Sequence, residues 1–384
     1  MDAAGINRIN HRKDPMNRIY IIVGARPNFM KAAPVLEQLH MRHPEWDVRL
    51  IHTGQHYDEK LSDLFFRQLG MPIPDINLNI GSASHAVQTA RIMMALETQF
   101  SEHPPDLVMV FGDVNSTLAA ALVASKLGIP IAHIEAGLRS FDRTMPEEIN
   151  RLLTDTISDL LFTTEASAQT NLVREGIPAE KIFFVGNTMI DTLLKHRAHA
   201  LALDMPARFQ VVPQRYAVVT LHRPSNVDDN QLLQQIVASL CELATNVPVI
   251  FPIHPRTKQR LSTVYTEIES LARLNLHLVE PLGYLEFIGL IASAGVILTD
   301  SGGVQEETTI LGVPCITLRE NTERPVTITV GTNRLVGRDP QRMIDEAYAL
   351  LVDGRERTPR VPEKWDGNAA VRIVDVLERE SWQA

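Results

Sequence analysis

The sequence predicts an α/β protein of two doubly wound domains that face each other across a cleft. Three observations carry that expectation. The chain has 384 residues, long for one core and suited to two domains of about 150–200 residues each. Short β-branched or apolar runs alternate with longer helical stretches, the pattern of a parallel sheet with crossover helices. The rhythm then lapses at 197–215, where Pro206 and Pro213 mark a connection, and resumes beyond it.

Residues 1–16 are polar and charged, without the apolar stretch of a signal peptide, and are expected to be a flexible tail. A first domain is expected over 17–198, with strands at Arg18–Val23, Asp47–Thr53, Leu107–Phe111, Ile129–Ile134, Leu160–Thr163 and Ile182–Val185. Helical stretches at Phe29–His43, Ala86–Ser101 and Ser116–Leu127 lie between them. A second domain over 199–368 repeats the rhythm with strands at Tyr216–Leu221, Val247–Ile253, Leu276–Val279, Val296–Thr299 and Val313–Leu318. Its helices are expected at Asp229–Asn246, Leu285–Ala292 and Val304–Leu311. The C-terminal helix, within 369–384, is a candidate to pack back on the first domain.

With 37 Lys and Arg against 46 Asp and Glu, the net charge is −9, which argues against a nucleic-acid surface. A local basic pocket for an anionic small molecule stays possible. Cys241 and Cys315 form no CxxC and no disulfide framework, and no histidine pair has ligand spacing, so no metal site is expected. No apolar run approaches the roughly 20 residues of a membrane helix. A cytoplasmic location follows as the expectation.

Doubly wound domains bind ligands beyond the carboxyl ends of their strands. After the first strand comes Gly24-Ala25-Arg26-Pro27-Asn28-Phe29-Met30-Lys31, which lacks the GxGxxG of nicotinamide cofactors. Arg26 and Lys31 suit a phosphate near a helix start, or simply a solvated face. Asp113 follows the third strand, placed for chemistry or for capping the next helix. Glu135 ends an apolar strand, where a carboxylate would be perturbed, and acids and arginines crowd the stretch onward to Arg151. His222 and His254, each next to or near an arginine, end two strands of the second half. The clearest local signal is Thr299-Asp300-Ser301-Gly302-Gly303, a strand end running straight into a helix. Two glycines let backbone N–H groups approach an anion, and Glu307 in that helix could accept from a ribose diol.

In order along the chain stand GARPNFMKAAP, TGQHYDE, GDVNSTLAA, HIEAGLRSFDRTMPEEINR, VGNTMIDTL, LTDSGGVQEE and RENTERPVT with GTNRLVG. Together they resemble the non-hydrolysing UDP-N-acetylglucosamine 2-epimerases from about Arg18 to Gly337. The resemblance implies two Rossmann-like domains in the GT-B arrangement, with the active site in the cleft. It also implies elimination of UDP from C1 with loss of the C2 proton, then re-addition to give the manno isomer.

Residue by residue, the resemblance implies catalytic roles for Asp113, Glu135, Glu147 and His222. It implies substrate binding by Arg26, Lys31 and Arg151, by Phe287 beside the uracil, and by Ser301, Gly302 and Gly303 at the diphosphate. Glu307 would serve the ribose, and His254 and Arg324 would complete the nucleotide side. No cofactor or metal is implied; the partners are a UDP-sugar and a second copy in a homodimer. Leu78–His85 reads LNIGSASH where allosterically regulated bacterial members carry Pro-Gly-Gln. His222–Asn226 reads HRPSN, which is also similar to relatives acting on modified UDP-sugars such as UDP-2,3-diacetamido-glucuronate. A GT-B glycosyltransferase is the rival of another class.

Overall fold

Parallel strands with apolar side chains on both faces build two sheets. The computed structural model describes residues 18–54, 70–265, 275–352 and 361–380. Segment 1–16, read above as a tail, and Gln55 and His56 of TGQHYDE lie outside these residues. The first sheet contains β1 (Arg18–Val23), β2 (Asp47–His52), β3 (Ile76–Asn77), β4 (Leu107–Phe111), β5 (Ile131–Ala136), β6 (Leu160–Thr163) and β7 (Ile182–Phe184). Its order is β3-β2-β1-β4-β5-β6-β7. The second contains β8 (Ala217–Thr220), β9 (Val249–Pro252), β10 (Leu276–Val279), β11 (Val296–Thr299), β12 (Cys315–Thr317) and β13 (Asn333–Leu335). Its order is β10-β9-β8-β11-β12-β13.

Every pairing described is parallel. β4 and β5 are buried along their whole length, as central strands covered by helices on both faces must be. The edge strands β3 and β13 add to the expected set. They are two and three residues long and too polar to read as strands.

The helix Arg26–Arg42 starts earlier than the apolar pattern suggests, because Pro27 fits its first turn. Arg26 is therefore helical, and its side chain lies outside the described residues. Likewise Thr188–Ala202 stays helical into the stretch read as a connection, and a short helix, Met205–Arg208, follows under an Asp204 cap. Met189, Ile190 and Leu193 of the longer helix share a core with Leu285, Ile288 and Ile291 of helix Tyr284–Ala292. Each such buried aliphatic side chain contributes about 1.5–3 kcal/mol, enough to hold the two sheets in a defined relation.

The helix Ala369–Arg379 lies against Arg26–Arg42, with Arg42 Nη1 2.7 Å from Asp375 Oδ1. Asp191 accepts the Ala369 and Ala370 N–H groups at 3.1 and 2.7 Å, which anchors the helix start. Among the described residues no helix is long and apolar enough to cross a membrane.

Candidate active site

Each sheet has a switch point where the loops from neighbouring strands diverge, and each is stitched by a buried polar side chain. Between β1 and β4, Asn28 Oδ1 accepts from Ala25 N–H at 3.0 Å, and its amide donates to the Phe111 carbonyl at 2.8 Å. Between β8 and β11, the buried Asp300 accepts the Arg223 N–H at 2.9 Å, the His222 N–H at 3.1 Å and the Asn226 amide at 3.1 Å. Burial pushes the Asp300 carboxyl up, but His222, the Arg223 N–H and Asn226 outweigh it and hold it low.

Asp113, directly beyond β4, does not cap the next helix. Val114 occupies the cap position, and Asp113 instead accepts from Arg151 Nε and Nη2 at 3.0 and 2.7 Å. Burial raises its carboxyl, yet Arg151, Lys31 and Arg324 outweigh burial and keep it below its ordinary value. Arg151 is itself buried and also pairs with Glu148, whose two oxygens accept the Ser140 and Phe141 N–H groups at 2.9 and 3.0 Å. Arg151 therefore acts on Asp113 and on the loop after β5.

Behind both loops stands His133, fully buried. Its Nε2 donates to the Gly112 carbonyl at 2.8 Å, and Nδ1 lies 2.6 Å from Asp155. Asp155 also accepts the Gly137 N–H at 3.1 Å and pairs with Arg139, so one acid ties the loops after β4 and β5 together. Only glycine fits at 137: φ is +80°, and an added Cβ would lie 2.5 Å from the Ala168 carbonyl oxygen.

Glu135 sits where the β5–β6 register shifts, with φ +75°. That left-handed turn costs about 1–2 kcal/mol for a non-glycine residue and aims the carboxylate out of the strand. There it pairs with Lys31 from the first domain and, at 2.8 Å, with Arg324 Nη2 from the second. Arg324 Nε reaches Glu306 at 2.6 Å, and its Nη1 pairs with Glu323. Three carboxylates thus share one buried guanidinium across the cleft. Burial and the Glu135 charge raise the Glu306 carboxyl against the pull of Arg324.

His222 is half exposed, with Nδ1 3.1 Å from Asp300. Glu147 is half-buried at the start of helix Pro146–Ile157, and its charge acts on Arg223 beside His222. Ser301 stands at the start of helix Gly302–Leu311 without a side-chain capping bond, and the helix's first N–H groups lack intrahelical partners and present its positive end. Ser301, Gly302 and Gly303 are all partly exposed there. His254 is exposed at the start of helix Pro255–Val264, accepting from the Arg256 N–H, and Phe287 is half-buried on Tyr284–Ala292. Lys31, Glu135 and Arg324 are thus joined directly, as are Asp113 and Arg151, with Glu323 between the two sets, and His222 and Ser301 flank Asp300.

Glu307 is buried, and burial, with the Glu306 charge, pushes its carboxyl up to about 8. Such a group favours folding fully below its unfolded value near 4.5, and the contribution fades as pH rises through about 8. Glu307→Gln should therefore be as stable as the parent at pH 5 and more stable at pH 8.5, by about 3 kcal/mol. Urea melts at the two pH values check this; equal pH dependence in both proteins would refute it.

Asp155, Asp300, Glu306 and Glu323 escaped the sequence reading. Asp300 was detectable by the strand-end rule applied elsewhere. Glu306 and Glu323 look like ordinary polar positions until the second domain buries them. Among the described residues no group of His, Cys, Asp and Glu is placed to hold a metal ion. Burial pushes the Cys315 thiol up to about 11.

The chain matches the UDP-N-acetylglucosamine 2-epimerase family over residues 38–378. It is 45% identical over 367 residues to the UDP-N-acetylglucosamine 2-epimerase of Methanocaldococcus jannaschii, covering 94% of this chain and 98% of that protein. It is 42% identical over 366 residues to the UDP-2,3-diacetamido-2,3-dideoxy-D-glucuronate 2-epimerase of Pseudomonas aeruginosa, covering 94% and 99%. The crystal structure of the M. jannaschii UDP-GlcNAc 2-epimerase in complex with UDP-GlcNAc and UDP has a TM-score of 0.86 and 45% identity to it, over 94% of this chain and 99% of that one. With two parallel-sheet domains closing on one ion-paired cleft in the GT-B arrangement, the chain belongs to the UDP-N-acetylglucosamine 2-epimerase family.

Proposed function

We propose that this protein interconverts UDP-N-acetylglucosamine and UDP-N-acetylmannosamine without hydrolysis. One observation carries the reading: Asp113, Glu135 and Arg324 meet in the same cleft as a helix N-terminus suited to diphosphate. The C2–H bond breaks to an enzyme base as the C1–O electron pair leaves with UDP, giving a 2-acetamidoglucal beside UDP. Re-addition of UDP at C1, with a proton delivered to the other face of C2, completes the inversion. Asp113, Glu135, Glu147 and His222 are the groups for proton transfer. Arg324, Lys31 and the Ser301–Gly303 turn are suited to charge on the leaving diphosphate. Glu307, held largely neutral at pH 7, can both donate to and accept from a ribose hydroxyl.

Incubation with UDP-N-acetylglucosamine alone in deuterated water tests this. The expected result is deuterium at C2 and a growing manno signal, with no free UDP accumulating. Accumulating UDP would mark a hydrolysing enzyme, and no exchange at C2 would reject this substrate. The 42% identity to the diacetamido-glucuronate enzyme favours a modified UDP-sugar as the second reading. A panel with and without the 3-acetamido and 6-carboxylate groups separates the two.

The same reading puts the enzyme in the cytoplasm, where its sugar nucleotide is available, and makes it a homodimer. Val87 and Met94, 44% and 70% exposed and seven positions apart on helix His85–Glu102, supply an apolar stripe for such a contact.

A further inference from the structure

Glu323 follows β12 in the stretch Arg319–Arg324 and is only 3% exposed. Its Oε2 accepts from Arg319 Nη2 at 2.7 Å, and its Oε1 pairs with Arg324 Nη1. Two further guanidiniums approach the same Oε1: Arg151 Nη2 and Arg223 Nη2, each at 4.0 Å. These four arginines have different duties. Arg324 holds Glu135, Arg151 holds Asp113, and Arg223 adjoins His222 and donates to the Asp300 carbonyl at 3.0 Å. Arg319 Nη1 is buried without a hydrogen-bond partner, so Glu323 is its principal anchor.

We propose that Glu323 is a positioning residue for the epimerisation, the shared counter-ion that fixes the four guanidiniums around the reacting groups. The proposal rests on the UDP-sugar reading above. Several cations in so small a buried space repel one another, and the repulsion would scatter them without a common anion. Burial raises the Glu323 carboxyl, but Arg324, Arg319 and Arg151 overcome burial and hold it well below the usual range. The carboxylate is thus held charged among these arginines in the free protein. Its charge also offsets part of the attraction of these arginines for diphosphate, so binding is moderated while geometry is kept.

That double role separates Glu323 from a residue that merely supports the fold. In Glu323→Gln the cleft gains net positive charge, and its guanidiniums lose their common partner. UDP should bind about tenfold more tightly, while kcat falls by about 30-fold or more and KM does not rise. Glu323→Asp, which restores the charge, should recover most of the lost kcat. UDP affinity is read by titration calorimetry and turnover by proton NMR.

Weaker or unchanged UDP binding in Glu323→Gln, an unchanged kcat, or no recovery in Glu323→Asp would each overturn the proposal. Should Glu323→Gln not fold, Arg319→Gln with Glu323→Gln removes one cation and one anion together. That pair should bind UDP near the parental affinity with kcat still low, and a parental kcat there would be equally fatal. Failure of the parent protein to bind UDP would remove the underlying reading and this proposal with it. Parental UDP binding with unresponsive variants would remove this proposal alone.

Discussion

Glu135→Gln should lower kcat by about 10³-fold while UDP binds at parental affinity or more tightly. The amide matches the carboxylate in shape, and the left-handed backbone at 135 and the register shift beside it do not depend on charge. What is lost is the ability to take or give a proton at the sugar. Lys31 and Arg324, which both pair with Glu135 in the free protein, lose one acid and become freer for diphosphate. Affinity and turnover should therefore move apart. Turnover within tenfold of the parent, or UDP affinity falling in step with turnover, would remove Glu135 from the acid–base chemistry. The comparison is interpretable because the surrounding loops are held independently, through Asp155 on the Gly137 N–H and Glu148 on the Ser140 and Phe141 N–H groups.

How much of this was legible beforehand follows from what each residue depends on. Asp113, Glu135, His222, His254 and Ser301 stand at strand ends, and an apolar run followed by a polar break is a local signal. The central strands are legible for the same reason, whereas helix Thr188–Ala202 runs through a stretch that reads as a connection. Edge strands β3 and β13 are not legible, because at two and three residues, with polar side chains among them, they show no apolar run. Partnerships are the other loss. Nothing local marks the partner of Arg151, which 38 positions from Asp113 closes an ion pair with that acid. Arg324 and Glu135 are 189 positions apart, and their bond exists only once two domains have folded toward each other. Glu306 and Glu323 belong to that same category, being buried by contacts that no periodicity encodes.

The second large effect is expected at the glycine pair that opens helix Gly302–Leu311. A Cβ at residue 302 would lie 2.6 Å from Arg324 Nη1 and 3.0 Å from Glu323 Oε1. Those atoms are not free side-chain ends, since Arg324 is held by Glu135, Glu306 and Glu323 at once. Gly302→Ala must displace the guanidinium, costing about 3 kcal/mol of stability and at least about 100-fold in UDP affinity. At residue 303 the situation differs. The nearest atom to an added Cβ is Met189 Cε at 3.6 Å, an ordinary contact. Gly303→Ala should fold as well as the parent or better by up to about 1 kcal/mol, through helix propensity alone. If the diphosphate lies against the backbone N–H groups of this turn, the added methyl narrows the space for its approach to them. UDP affinity should then fall about tenfold or more in a protein of undiminished stability, measured by calorimetry beside urea melts. Unchanged UDP affinity in Gly303→Ala would move the diphosphate away from this helix start, whatever Gly302→Ala did, because only the second glycine separates binding from folding.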